Sequence, residues 1–176
     1  MTPAWILDVF AAVMLAVAAV SAAQLVAAWP RRYGPVSTDT DIAHLLMAIA
    51  MAGMLVPSLT TLPDRAWEIV FGLLTAWFAG RVLRAGGGCA PHLVHSAAML
   101  YMFLALPAPA ADGMRTLRYP TLAFAFGLAL AGYCVWDLDQ LSGRRHAFGG
   151  VLSPGVTVSC RIAMGVTMAL MLFRMI

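Results

Sequence analysis

The sequence contains no lysine; its eleven positive charges are all arginine, set against eight acidic residues for a formal net charge of +3. They form no basic stripe with interleaved aromatics, which argues against a nucleic-acid partner. Charge of either sign is scarce, at 11% of residues, where an ordinary soluble domain carries about 25%. Cysteine is scarce too. Cys89, Cys134 and Cys160 are the three present, none in a C-x-x-C pair, so neither a metallochaperone motif nor a dithiol redox motif exists. G-x-S-x-G, Walker-loop and H-E-x-x-H patterns are missing as well. Hydrolase and nucleotide chemistry therefore lose their usual sequence basis, and the chain reads more readily as a non-enzyme.

What fills the chain instead is apolar. Of 176 residues, 62% are hydrophobic, and the mean hydropathy is +0.85. A membrane-crossing helix needs roughly 20 mostly apolar residues. This length holds about six of them with short loops, and little remains for a soluble domain. Six apolar runs separate at Pro3–Trp29, Ile42–Leu59, Ala66–Leu83, Pro91–Leu106, Thr121–Leu138 and Val156–Ile176. The breaks between them are Pro-, Gly- and Arg-rich, as helix ends should be. The expected fold is all-α: one domain over residues 1–176, an integral membrane bundle of six transmembrane helices, with the lipid bilayer as its first partner.

The first run lacks positive charge at its amino end, and arginines follow rather than precede it. That order is the reverse of a signal peptide, so the run reads as a retained span. The loops after spans one, three and five, with their flanks, hold Arg31, Arg32, Arg81, Arg84, Arg144, Arg145 and Arg161. The other side holds Arg65, Arg115, Arg118 and Arg174. This excess predicts a cytoplasmic location for the first set. The localisation expected is a multi-pass plasma-membrane protein with both termini outside.

Spans two, four and six repeat one spacing. They carry His44, Met47, Met51, Met54; His92, His95, Met99, Met102; and Arg161, Met164, Met168, Met171. In each the positions are 0, +3, +7 and +10, which at about 100° per residue fall within an arc of roughly 80°. Each helix thus presents one narrow row, about 15 Å long. Eight of the twelve methionines sit on these rows. The three spans run in the same direction and their rows start at matching depth, so the rows are expected to face a common axis. Methionine is also a flexible apolar filler, and simple packing explains a single such stripe. Packing explains intramembrane histidines less well, because these usually face a bundle interior or cavity.

The chemistry these side chains share is soft-metal binding. Thioethers select Cu(I), and imidazole also suits copper. Zn(II) would usually recruit thiolate or carboxylate, and Ca(II) and Mg(II) want oxygen. The metal-ligating set expected is His44, Met47, Met51, Met54, His92, His95, Met99, Met102, Met164, Met168 and Met171. His44, His92 and His95 would form a nitrogen-rich end, with thioethers deeper. Rungs of similar affinity suit ion passage, so the function expected is Cu(I) transport or delivery. Two alternatives stand beside it. His44 and His92 could ligate a haem b from opposite sides, or the rows could be packing in an accessory subunit of a homo-oligomer or larger membrane complex.

Among the remaining charges, Asp39 and Asp41 precede the first row. Asp137 and Asp139 end span five near Arg144 and Arg145, where arginine pairing is expected. His146 reads as a solvated loop residue. Gly127 and Gly132 suit close helix packing. Trp29, Trp67, Trp77, Tyr119 and Trp136 suit an interfacial aromatic belt.

The segments Asp41-Ile42-Ala43-His44-Leu45-Leu46-Met47, His92-x-x-His95-Ser96-Ala97-Ala98-Met99-Leu100-Tyr101-Met102 and Cys160-Arg161-x-x-Met164-Gly165 resemble a family of uncharacterised small polytopic membrane proteins of actinobacteria, a domain of unknown function. The resemblance covers nearly the whole chain. It implies a six-span architecture and carries no activity. The Met-x-x-x-Met step is also similar to the methionine ladder of eukaryotic high-affinity copper importers, which build a pore from three subunits of three spans each.

Overall fold

A computed structural model describes residues 4–28, 35–85, 89–105, 119–143 and 154–175. Six α-helices carry them: α1 (Ala4–Ala28), α2 (Pro35–Leu55), α3 (Asp64–Ala85), α4 (Ala90–Ala105), α5 (Pro120–Gly143) and α6 (Pro154–Met175). No strand occurs among the described residues. The fold is all-α, as the sequence implies. Proline opens α2, α5 and α6, a position where its missing N–H costs nothing and its fixed φ suits a helix. In α3, Asp64 lies in the first turn and Arg84 in the last, each at the end where the helix dipole favours its charge.

Three helices have the length and apolarity to cross a membrane: Trp5–Ala27 in α1, Asp64–Arg84 in α3 and Pro120–Asp139 in α5. The apolar stretches Ala90–Ala105 and Val158–Phe173 are shorter. In α2 the first two turns are polar, with Ser37, Thr38, Asp39, Thr40 and Asp41. That helix also stops earlier than the apolar run. Instead of continuing to Leu59 it ends at Leu55, and a 3-10 turn follows over Pro57–Leu59. Val56 before the proline is extended, at φ −128° and ψ 103°. Proline disfavours helical backbone in the residue before it and donates no N–H.

The chain divides into two compact units. The first comprises Met1–Thr61 and Cys134–Met164, the second Leu62–Tyr133 and Gly165–Ile176.

In the first unit α1 packs against α2. The face of α1 that is buried carries Ala11, Met14, Val17, Ala18 and Ser21, and α2 buries Ala43, Ala48, Ala50 and Ala52 beside its larger residues. Small side chains on both helices allow the close backbone approach that dispersion needs. Beyond α2 the chain folds back, and Thr60 donates its hydroxyl to the Gly53 carbonyl at 3.4 Å. A Cβ at Gly53 would stand 3.2 Å from the Thr60 Cα. A Cβ there would have to push the Thr60 backbone away by a few tenths of an ångström.

In the second unit α3 packs against α4. Trp67, Phe71 and Phe103 stack mutually, with ring centroids 5.7, 6.4 and 5.8 Å apart. Trp67 is buried and so does not join an interfacial belt. Trp77, Tyr119 and Trp136 are exposed, as such a belt would need; Trp29 lies outside the described residues. The Tyr101 ring meets Phe126 at 5.7 Å, and its hydroxyl donates to the Tyr119 carbonyl at 2.8 Å. Gly127 faces the Phe173 ring, 3.3 Å from where a Cβ would stand, whereas Gly132 meets only open space. The close-packing expectation therefore holds at Gly127 and fails at Gly132.

Candidate functional site

In the first unit, His44, Met47, Met51 and Met54 lie along α2. His44, Met47 and Met51 are buried, and Met54 is half-buried beside the chain reversal at Gly53. Met164, the first thioether of the α6 row, belongs to the same unit and is buried. Four further side chains of this unit bear on the chemistry. Arg161 donates to an Asp137 carboxylate oxygen at 3.0 Å. One turn before Asp137, the Cys134 thiol points to the Ile162 carbonyl at 3.9 Å. Cys160 is half-buried.

These contacts tie the end of α5 to the start of α6. Asp137 does pair with an arginine, and the partner among the described residues is Arg161. Arg144, Arg145 and His146 lie outside the described residues, as do Arg31, Arg32, Arg115 and Arg118. The signal for the Asp137–Arg161 pair was present in the sequence. A guanidinium inside an apolar run requires a counter-charge, and Asp137 is an acid inside the preceding run.

In the second unit, α4 carries His92, His95, Met99 and Met102, and α6 contributes Met168 and Met171. All four methionines are buried; both histidines are half-buried. The His92 ring lies against the Phe78 ring, centroids 5.5 Å apart. His95 Nδ1 stands 2.7 Å from the Pro91 carbonyl. A carbonyl oxygen can only accept, so Nδ1 carries the proton and Nε2 is the unprotonated nitrogen of the neutral ring. Metal-binding histidines are commonly held this way, by a hydrogen bond from the nitrogen that does not ligate. Ser96 donates to the His92 and Leu93 carbonyls at 2.9 and 3.0 Å. No buried side-chain nitrogen or oxygen among the described residues lacks a partner, as an apolar surrounding demands.

No three histidine, cysteine or acidic side chains among the described residues gather closely enough to hold one ion.

The arrangement can be set beside known proteins. Residues 36–175 match the family model described as a domain of unknown function (DUF5134). The chain belongs to that family. The match begins at the start of α2 and runs to the end of α6, so all three histidine–methionine rows fall within the family domain. No curated protein and no solved structure matches the chain.

Proposed function

We propose that the chain is a six-span membrane protein that binds Cu(I) along its histidine–methionine rows and serves its transport or delivery. The observation that carries this reading is the burial of the thioethers. Met47, Met51, Met99, Met102 and Met168 are 0% exposed, Met164 1% and Met171 8%. Seven polarizable sulfurs on three helices are thus kept away from the surroundings. Soft neutral donors of this kind hold a monovalent ion without burying net negative charge, and they prefer Cu(I). The His95 tautomer supports a nitrogen donor at Nε2. With α2, α4 and α6 as spans beside α1, α3 and α5, the arginine excess puts the loops of Arg31, Arg84 and Arg144 at the cytoplasmic face of the plasma membrane.

The test is the metal content and visible spectrum of the purified protein, followed by competition with a Cu(I) chelator. Bound copper without a Soret band supports the reading. A Soret band would replace it with a haem b protein, and neither signal would leave the rows as packing in an accessory subunit. Among variants, His92→Ala/His95→Ala should weaken Cu(I) binding more than Met54→Leu/Met102→Leu, because imidazole is the stronger donor. The leucines conserve volume, so thermal stability should hold. Unchanged copper binding in the double-histidine variant would remove these residues from the site.

A further inference from the structure

The backbone enters α5 against its own preference. Tyr119 precedes Pro120, and a residue before proline favours extended backbone. Its φ is instead 73°, in the left-handed region that residues with a Cβ seldom enter. No other non-glycine residue among those described has a positive φ. Such a conformation persists only where the surrounding structure over-determines it.

The hold falls on the Tyr119 carbonyl rather than on its side chain, which is 61% exposed. That carbonyl accepts two hydrogen bonds. One comes from the Leu122 N–H at 3.1 Å and belongs to the turn itself. The other comes from a different helix, from the Tyr101 hydroxyl at 2.8 Å. Tyr101 is buried on α4, between Met99 and Met102 of the row, and its ring rests against Phe126 with centroids 5.7 Å apart. The hydroxyl is therefore presented by a side chain with little freedom of its own. All of these residues belong to one compact unit.

We propose that Tyr119 is a two-state hinge at the entry to α5, and that Tyr101 is the clasp that keeps it closed. In the closed state the hydroxyl holds the carbonyl where the left-handed turn places it. In the open state Tyr119 takes the extended backbone that its proline neighbour favours. The carbonyl then turns away from both donors, and the first turn of α5 comes loose from α4. The clasp stands on a helix that carries one of the rows, so a shift of α4 that withdraws the hydroxyl opens the hinge. This device goes beyond the metal-binding reading and does not depend on it.

The experiment follows amide hydrogen exchange at Leu122 by NMR, in the full-length protein in detergent. Tyr101→Phe keeps the ring and deletes the clasp, so exchange at Leu122 should quicken by about tenfold. Tyr119→Gly relieves the strain, since glycine enters the left-handed region freely, and should slow exchange. Tyr101→Phe/Tyr119→Gly should return to within about threefold of the parent, because an unstrained turn no longer needs the clasp. Tyr119→Val, with a β-branched residue ill suited to positive φ, should quicken exchange even with Tyr101 in place. A hydroxyl that merely adds one bond to a relaxed turn would give no rescue by glycine and no difference between glycine and valine. Either result overturns the hinge, as does unchanged exchange in Tyr101→Phe. Should Tyr101→Phe fail to fold, the glycine and valine variants still decide the matter at their exposed position, by moving exchange in opposite directions or failing to.

Discussion

Helices α1, α3 and α5 differ from α2, α4 and α6 in what they present outward. Trp5, Val9, Val13, Leu15 and Val26 of α1 are exposed, as are Ile69, Leu73, Trp77 and Leu83 of α3. In α5 the exposed set includes Leu122, Phe124, Leu128, Val135, Trp136 and Leu138. The other three helices expose few large apolar side chains: Ile42 in α2, Leu104 in α4, Val166 and Phe173 in α6. They bury most of the histidine–methionine rows instead. A helix that meets lipid along its flank must be apolar over the full thickness of the hydrocarbon. A helix covered by its neighbours escapes that requirement and can be shorter, or carry His, Ser, Thr and Asp, provided their polar groups are satisfied. Among the described residues, α1, α3 and α5 are the helices with the length and apolarity of a span. The difference lies in unbroken apolar length: α4 has 16 residues, the apolar stretch of α6 is short as well, and α2 opens on polar turns.

The sharpest way to break this contrast lies within α3. Phe71 is 0% exposed and stacks on Trp67 and Phe103, while Leu73, two residues on, is 68% exposed. Phe71→Ala should cost about 3–5 kcal/mol through lost contacts and a residual cavity. Leu73→Ala should stay within about 0.5 kcal/mol, as outward substitutions do. Thermal and denaturant unfolding in detergent measures both. Equal losses would mean that Leu73 is covered, by a second copy or another partner, and that α3 is no outward helix.

A smaller effect tests backbone approach in the same spirit. Alanine in place of a helical glycine gains about 1 kcal/mol of helix propensity. At Gly132, which faces open space, Gly132→Ala should realise that gain. At Gly53 the new Cβ would stand 3.2 Å from the Thr60 backbone, and overpacking of this kind costs about 1–3 kcal/mol. Gly53→Ala should therefore lose up to about 2 kcal/mol net. Opposite signs at the two positions are the expected result. A gain at both would show that the chain reversal after α2 yields freely.

How much of this was readable in one dimension follows from the same physics. The six helices were legible because proline, glycine and arginine punctuate the apolar runs. That each row occupies one face was legible because positions 0, +3, +7 and +10 fall together on any helix. What depends on the relation between helices was not. Asp137 pairs with Arg161, an arginine distant from it in sequence, since partner choice follows interhelical register. Trp67 looked interfacial by its place near a span end, yet its ring turns into a stack with Phe71 and Phe103. The end of α2 at Leu55 was readable in principle from Pro57, but the hydropathy of Leu55 and Val56 masked it.

The smallest effect concerns a half-buried charge near the start of α2. Asp41 lies in α2 just before its apolar stretch, and burial pushes its carboxyl above the usual carboxylate value. Burial penalises the charged form, and no compensating charge is among the causes. The sign then follows from linkage. The folded state holds this proton more firmly than the unfolded state, so the contribution to stability is complete below the unfolded value and lost as pH rises through the raised folded value. At neutral pH the parent carries the cost of an ionised, partly desolvated carboxylate. Asp41→Asn keeps the shape without the charge. It should match or slightly exceed the parent at pH 7, by no more than about 0.5 kcal/mol. Stability curves between pH 4 and 8 should converge for the two proteins at the acid end and separate as the carboxyl ionises. A variant less stable than the parent at pH 7 would mean that the ionised form of Asp41 makes a favourable contact, and the start of α2 would then be an acidic mouth to its row rather than a helix end tolerating a buried charge.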